Sequence, residues 1–297
     1  MKPKIVSVLI GIVMLAGLAW LFYFRDYIAA QKMTQYRQGQ EYQDKQKNSS
    51  IHYDAEKEIS SALATIQRNK SMAAVLTGAR EKEAKIALTF DGIGSQSVMD
   101  KILESLQKYQ MKATFFSEGM QAAEDSSTIL KIKAAGFAVE NYSLYGWPQI
   151  EKISVEKQIF DFCQSKKIFQ LALSIDSKIL KCNETNYTDQ LRQAAFACGF
   201  QQIVKSDVVV TAQTIKAIAS EQSANEYVSK IKPGSIVSIK VKANRDQPTD
   251  AKMLPQSVDK SDSEVVLAVE NILAAVKKRG LETVSLTELT EKINQNK

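Results

Sequence analysis

From residue 85 onward the sequence predicts an α/β fold built on a mainly parallel sheet or barrel, and three observations carry that prediction. Short apolar runs recur at 85–90 (KIALTF), 112–116 (KATFF), 137–141 (FAVEN), 168–175 (IFQLALSI), 201–206 (QQIVKS), 235–241 (SIVSIKV) and 282–286 (ETVSL). Between them, at 97–109, 126–135, 155–164, 188–198, 224–230 and 263–279, apolar residues follow helical spacing. Strands alternating with helices imply crossover connections, which join parallel neighbours. The composition fits: 297 residues that are 44% hydrophobic can bury a full core, and 12 glycines and 5 prolines are too few for a fibrous or disordered chain.

Taken in order, the first element is an apolar segment at 5–24, IVSVLIGIVMLAGLAWLFYF, with no charged residue. Twenty helical residues rise about 30 Å, the depth of a bilayer's hydrocarbon core. Lys2 and Lys4 precede it, and Trp20 and Tyr23 sit at its far end, as an interfacial aromatic belt requires. The segment is read as an uncleaved transmembrane helix, in preference to a signal peptide cut near Ala29 and Ala30. Residues 1–4 are then a cytoplasmic stub, and the rest of the chain is extracytoplasmic. Residues 25–84 read as a polar stalk, because 26–50 is rich in Gln, Lys, Arg and Tyr and nearly free of aliphatic residues. The stalk includes a short amphipathic helix with Ile59, Leu63 and Ile66 on one stripe.

The run at 85–90 ends in a carboxylate, Asp91, and breaks at once into Gly92-Ile93-Gly94. Asp91 has two readings: a base presented at the mouth of a strand, or a turn residue capping amides of the helix that starts near Ser97. In 235–241, alternation puts Ile236, Ser238 and Lys240 on one face of the strand and Val237, Ile239 and Val241 on the other. Tyr142, Tyr145 and Trp147 cluster in NYSLYGWP, where flat faces with polar tips suit either a sugar ring or a filled core.

Three cysteines, Cys163, Cys182 and Cys198, are too few for a disulfide framework and wrongly spaced for a zinc ribbon. Buried free thiols are favoured over a single Cys182–Cys198 bond. The formal charge of +6 comes from lysines and arginines spread along the chain. It fits a solvated basic surface, or an anionic partner such as a wall polymer. Without a basic arm or zinc-finger spacing, nucleic acid is not an expected partner.

Several of these landmarks together resemble the polysaccharide deacetylases, the NodB-homology or family-four carbohydrate esterases. ALTFDGIGS is similar to that family's T-F-D-D-G-P, and KATFF to its A-T-F-F strand. AAGFAVENYSLYGWPQI is similar to G-H-E-I-G-N-H-T-x-S-H-P-x-L, KIFQLALS to the strand bearing F-R-P-P-x-G, and KPGSIVSIKV to P-G-S-I-I-L-L-H-D. The closing KKRGLETVSLTEL is similar to G-Y-x-F-V-T-L-x-E-L. The resemblance implies a distorted (β/α) barrel over 85–297. It also implies hydrolysis of an N-acetyl group by a metal-bound water, with one Asp and two His as ligands, a second Asp as base and a further His protonating the amine. A divalent ion lowers the pKa of its bound water from about 15.7 to about 7, and three protein ligands leave a position open for that water.

Carried onto this chain, the base falls on Asp91, but the metal-binding Asp falls on Gly92 and the two metal histidines on Tyr142 and Gly146. The base-orienting arginine falls on Gln170, and the leaving-group histidine on Lys240. The only histidine in the chain is His52, outside the matched domain, so no shift of register restores the imidazoles. No metal cofactor is therefore expected. Lys240 is expected to turn toward Asp91 and supply the missing positive charge, its alternative being a solvated lysine. Tyr142, Tyr145, Trp147, Gln170 and Lys240 are the candidate binding residues. The expected protein is a non-catalytic envelope protein that binds cell-wall glycan or an envelope protein and is held to the membrane by its first helix. The alternative is a divergent hydrolase of carbon–nitrogen bonds acting on N-acetyl sugars.

Overall fold

The computed structural model describes residues 54–78, 84–241 and 261–289. The expected span at 5–24 and the greater part of the stalk lie outside them. Among the described residues no helix is long and apolar enough to cross a membrane.

Nine strands form one parallel sheet: β1 (Ala74–Leu76), β2 (Lys85–Asp91), β3 (Thr114–Ser117), β4 (Ala138–Asn141), β5 (Ile179–Leu180), β6 (Gln202–Val204), β7 (Val208–Val210), β8 (Ile236–Lys240) and β9 (Glu282–Val284). Their order is β1-β6-β5-β4-β3-β2-β8-β7, with β9 joined to β2. β2 is the centre. β8 lines its whole inner length from Ala87 to Asp91, while β9 takes Lys85–Ala87 and β3 takes Thr89–Asp91 on the other side. The stretch from β6 to β7 then curls the sheet. β6 pairs with β5 and β1, yet only a few residues later β7 pairs with β8 at the far end of the order. Asp207, in that link, accepts the N–H of Ile236 at 2.8 Å and that of Gly78 at 3.1 Å, tying the two ends together.

The helices are α1 (Ala55–Asn69), α2 (Gln96–Tyr109), α3 (Gly119–Glu124), α4 (Ser126–Ala134), α5 (Val155–Leu173), α6 (Asp189–Ala197), α7 (Ala212–Ala217), α8 (Glu221–Ser229) and α9 (Ser261–Lys278). Alternation along the strands sorts the side chains into two compartments. Ile86, Leu88 and Phe90 of β2, with Val237 and Ile239 of β8, face outward under Met99, Ile102 and Leu106 of α2 and Val269, Ile272 and Val276 of α9. Phe90 stacks on Phe115 with ring centroids 4.9 Å apart, and burying each such ring contributes about 1.5–3 kcal/mol. Ala87, Phe116, Tyr142, Ile179 and Ile236 face the other way, into the curl. The face of β8 that holds Ile236, Ser238 and Lys240 is thus the inner one.

The structure corrects three local expectations. Residues 168–175 are not a strand but the last turns of α5, a helix of 19 residues. Phe162, Phe169 and Leu173 fall on its buried face, while Leu171 is 59% exposed, and a one-sided stripe of this kind is helical. The strand falls instead on the two residues of β5. Residues 55–76, assigned to the stalk, fold with the barrel. The stripe of α1 (Ile59, Leu63 and Ile66) and its buried Ala62 pack with Ile159, Phe162 and Leu191, and β1 adds a strand beside β6. The disulfide joins Cys163 to Cys198, neither of the two expected outcomes. Cys163 lies on α5 and Cys198 caps α6, two helices that pack together, and Cys182 is a buried free thiol.

Candidate functional site

The polar part of the curled interior lies at the C-terminal ends of β2, β5 and β8, where active sites of (β/α) barrels form. Asp91 ends β2 and is 4% exposed. Its Oδ1 receives the ammonium of Lys181 at 2.6 Å, and its Oδ2 accepts the hydroxyl of Ser238 at 2.5 Å. Lys181, the residue after β5, is equally buried and also donates to Thr89 Oγ1 at 2.9 Å and Ser238 Oγ at 3.0 Å. All three of its N–H groups are therefore used. The ring of Phe116 adds a face 5.2 Å from the ammonium. Burial pulls the Lys181 ammonium below its ordinary range; Asp91 opposes that shift and Lys240 adds to it.

These contacts redistribute the expected roles. Asp91 caps no helix: α2 begins at Gln96, its N-cap Ser95 makes no side-chain cap, and the Asp91 carboxylate is spent on Lys181 and Ser238. Lys240 is the register neighbour of Asp91 but does not pair with it. Its ammonium donates to Glu184 Oε1 at 2.6 Å and Asn183 Oδ1 at 2.9 Å, because Lys181 already holds Asp91 and repels a second cation. Gln170 is exposed on α5 and donates to Asp176, away from the site. It lies on a helix and not on the strand that the resemblance assigned to it. The cation that stands beside Asp91 is Lys181. It was hidden in the sequence because two apolar residues, Ile179 and Leu180, are a weak strand signal beside the apolar end of α5.

Tyr142 lies just past β4, buried, its N–H bonded to Ser117 O at 2.8 Å. Burial, with the charges of Asp91 and Glu118 nearby, pushes its phenol well above the ordinary range, so it stays neutral. Gly92 and Gly146 offer no side chain, and Gly146 O accepts from Asn183 Nδ2 at 3.0 Å. Among the described residues no group of three His, Cys, Asp or Glu side chains is placed to hold a metal ion. The residues at the expected ligand positions therefore do not fit the zinc that the resemblance implies. Tyr145 and Trp147 stack at the lip of the same loop, centroids 4.4 Å apart and nearly parallel, and both are half-buried.

The loop that carries this aromatic pair is fastened from below by α5. Asp161 Oδ1 accepts the N–H of Leu144 at 2.8 Å, and the Ser165 hydroxyl reaches Ser143 O at 2.8 Å and Asn141 Oδ1 at 3.0 Å. Burial raises the Asp161 carboxyl from 3.8 to about 7, with the Leu144 N–H and Ser143 opposing the rise. In the unfolded chain the group ionises near its ordinary value, so between about pH 4 and 7 the fold holds a proton that the unfolded chain has lost. This group's contribution to stability is thus full below that window and is lost as the pH rises through it. Asp161→Asn, which does not ionise, is expected to flatten the slope of unfolding midpoint against pH across the window. A slope unchanged from the parent would assign the titration to another group.

The geometry defines a class first: a curled parallel β/α half-barrel with a buried carboxylate, Asp91, at the end of its central strand. Within that class, residues 78–203 match the family model for polysaccharide deacetylase. Over 215 residues it is 21% identical to a peptidoglycan-N-acetylglucosamine deacetylase of Bacillus cereus, a match covering 72% of this chain and 71% of that one. Over 107 residues it is 27% identical to a peptidoglycan-N-acetylmuramic acid deacetylase of Bacillus subtilis, covering 36% of this chain and 23% of the relative. Among solved structures, a peptidoglycan N-acetylglucosamine deacetylase superposes with a TM-score of 0.58 at 20% identity, covering 76% of this chain and 96% of its own. A pseudoenzyme of the same esterase family from Bacillus anthracis superposes with a TM-score of 0.58 at 18% identity, covering 77% of this chain and 80% of its own. A mutant of that pseudoenzyme with restored enzymatic activity matches at the same identity and TM-score, covering 77% and 83%.

Proposed function

We propose that this chain is a membrane-anchored, extracytoplasmic polysaccharide deacetylase-like protein that no longer catalyses and that binds cell-wall glycan. The observation that carries the proposal is the state of Asp91. The carboxylate at the base position is locked between Lys181 and Ser238 in the interior, and the positions around it offer two glycines and a neutral phenol in place of metal ligands. A general base must reach the proton it abstracts, and a carboxylate with both oxygens engaged and 4% exposed does not. The peptidoglycan-directed relatives support glycan as the ligand class, and the stacked Tyr145–Trp147 pair supplies an apolar face of the kind sugar rings use. The apolar segment at 5–24 supports the anchor. The Cys163–Cys198 bond supports an oxidising compartment, where such bonds persist.

Incubation of the purified chain with peptidoglycan or chitooligosaccharides in the presence of zinc is expected to release no acetate. Pull-down on purified cell wall is expected to retain the parent chain and to lose most of the Trp147→Ala variant. Acetate release that disappears in Asp91→Ala would instead establish the divergent hydrolase. Equal retention of parent and variant would remove the aromatic pair from the binding surface.

A further inference from the structure

We infer that Glu118 bars the return of a metal centre, so that putting back the lost ligands does not by itself restore one. This rests on the non-catalytic reading above and concerns why that state is stable. Two of the three expected ligand positions, Gly92 and Gly146, have φ of +79° and +67°. Residues with a side chain rarely adopt such angles, so the backbone here has settled into conformations that glycine permits. At Gly146 the space is also taken. A Cβ there would lie 2.7 Å from Glu118 Oε1, 3.2 Å from its Cγ and 3.3 Å from its Cδ. The shortest of these contacts is to the carboxylate itself, so a side chain at 146 has to move that group, and the contacts to Cγ and Cδ are tighter than ordinary contact.

The root of that side chain is also fixed. Glu118 follows β3 directly and is 5% exposed. On one side the Ser117 hydroxyl donates to Glu118 O at 3.2 Å, and on the other the Gly119 N–H bonds Ser143 O at 2.9 Å. The same carboxylate is close enough to Tyr142 to help raise its phenol. Glu118 therefore stands against position 146, one of the two that the resemblance gives to imidazoles. An imidazole at 146 has to displace a buried carboxylate and also take a left-handed backbone.

Two measurements test this. In a stability cycle, Gly146→Ala is expected to lower the thermal midpoint clearly in the parent background and much less in a Glu118→Ala background. An equal drop in both backgrounds would show that Glu118 is not the obstacle. In the second, zinc retained after desalting is measured on Gly92→Asp/Tyr142→His/Gly146→His, with and without Glu118→Ala. Retention is expected only when Glu118 is removed. Stoichiometric zinc in the triple variant, or none in either, overturns the inference. Acetate release by the parent chain would count against the non-catalytic reading and leave the stability cycle standing.

Discussion

Lys181→Met is expected to destabilise the fold by about 3–5 kcal/mol, because removing one partner leaves the other charge buried without compensation. The geometry supports the upper part of that range. Asp91 is 4% exposed, and without Lys181 its Oδ1 keeps only a long contact of 3.5 Å with Thr89. Asp91→Asn is expected to cost a comparable amount, since it strands the ammonium among Thr89, Ser238 and the Phe116 ring. The double variant Asp91→Asn/Lys181→Met removes both charges with little change in volume and is expected to recover most of the loss. Denaturant unfolding of the four proteins measures the coupling. If the two single losses simply add in the double variant, the pair is not a unit and its account here is wrong.

The second large effect is expected at the disulfide. Cys163 and Cys198 close a loop with a sequence separation of 35. Restricting the unfolded chain by such a loop is worth roughly 3–4 kcal/mol in the chain-entropy model, before any native strain is subtracted. The bond joins α5 to the end of α6, the two helices on which α1 packs. Replacing both cysteines by alanine is therefore expected to lower the unfolding free energy by about that amount. It is also expected to quicken amide exchange in α1 before any change in β2. Uniform quickening across the barrel would mean that the bond acts on the whole fold and not on this helical layer. Cys182 is not a substitute partner: it is buried, and burial pushes its thiol well up, which keeps it protonated and unreactive.

What the sequence revealed depended on how much apolar signal each element carried. β2, β3, β4 and β8 were legible because each is an apolar or alternating run bounded by polar turns, and alternation put Ser238 on one face with Ile236 and Lys240. Asp91 was legible by position, at the end of the central strand. Lys181 was not, because its strand is two residues long and α5 ends in an apolar run that imitates a better strand. α1 and β1 were attached to the stalk because a single stripe of Ile59, Leu63 and Ile66 does not reveal which surface covers it. The cysteine pairing depended on how α5 crosses α6, and no spacing in the sequence encodes that crossing. Tyr142 and Gly146 were legible as residues of the segment that follows the FAVEN run. Their surroundings were not, since nothing in Ser117-Glu118-Gly119 marks a carboxylate that fills a neighbouring loop.

The pairing of the central strand has a consequence for biogenesis. β2 is made early, yet its partners Ile236 to Lys240 and Glu282 to Val284 are made much later. Until they arrive, the central strand of the sheet has one edge covered only by β3, over its second half. Non-local closure of this kind is slow, and an unpaired apolar edge invites association with other chains during the wait. The nascent protein is thus expected to be a client of holding chaperones for most of its synthesis.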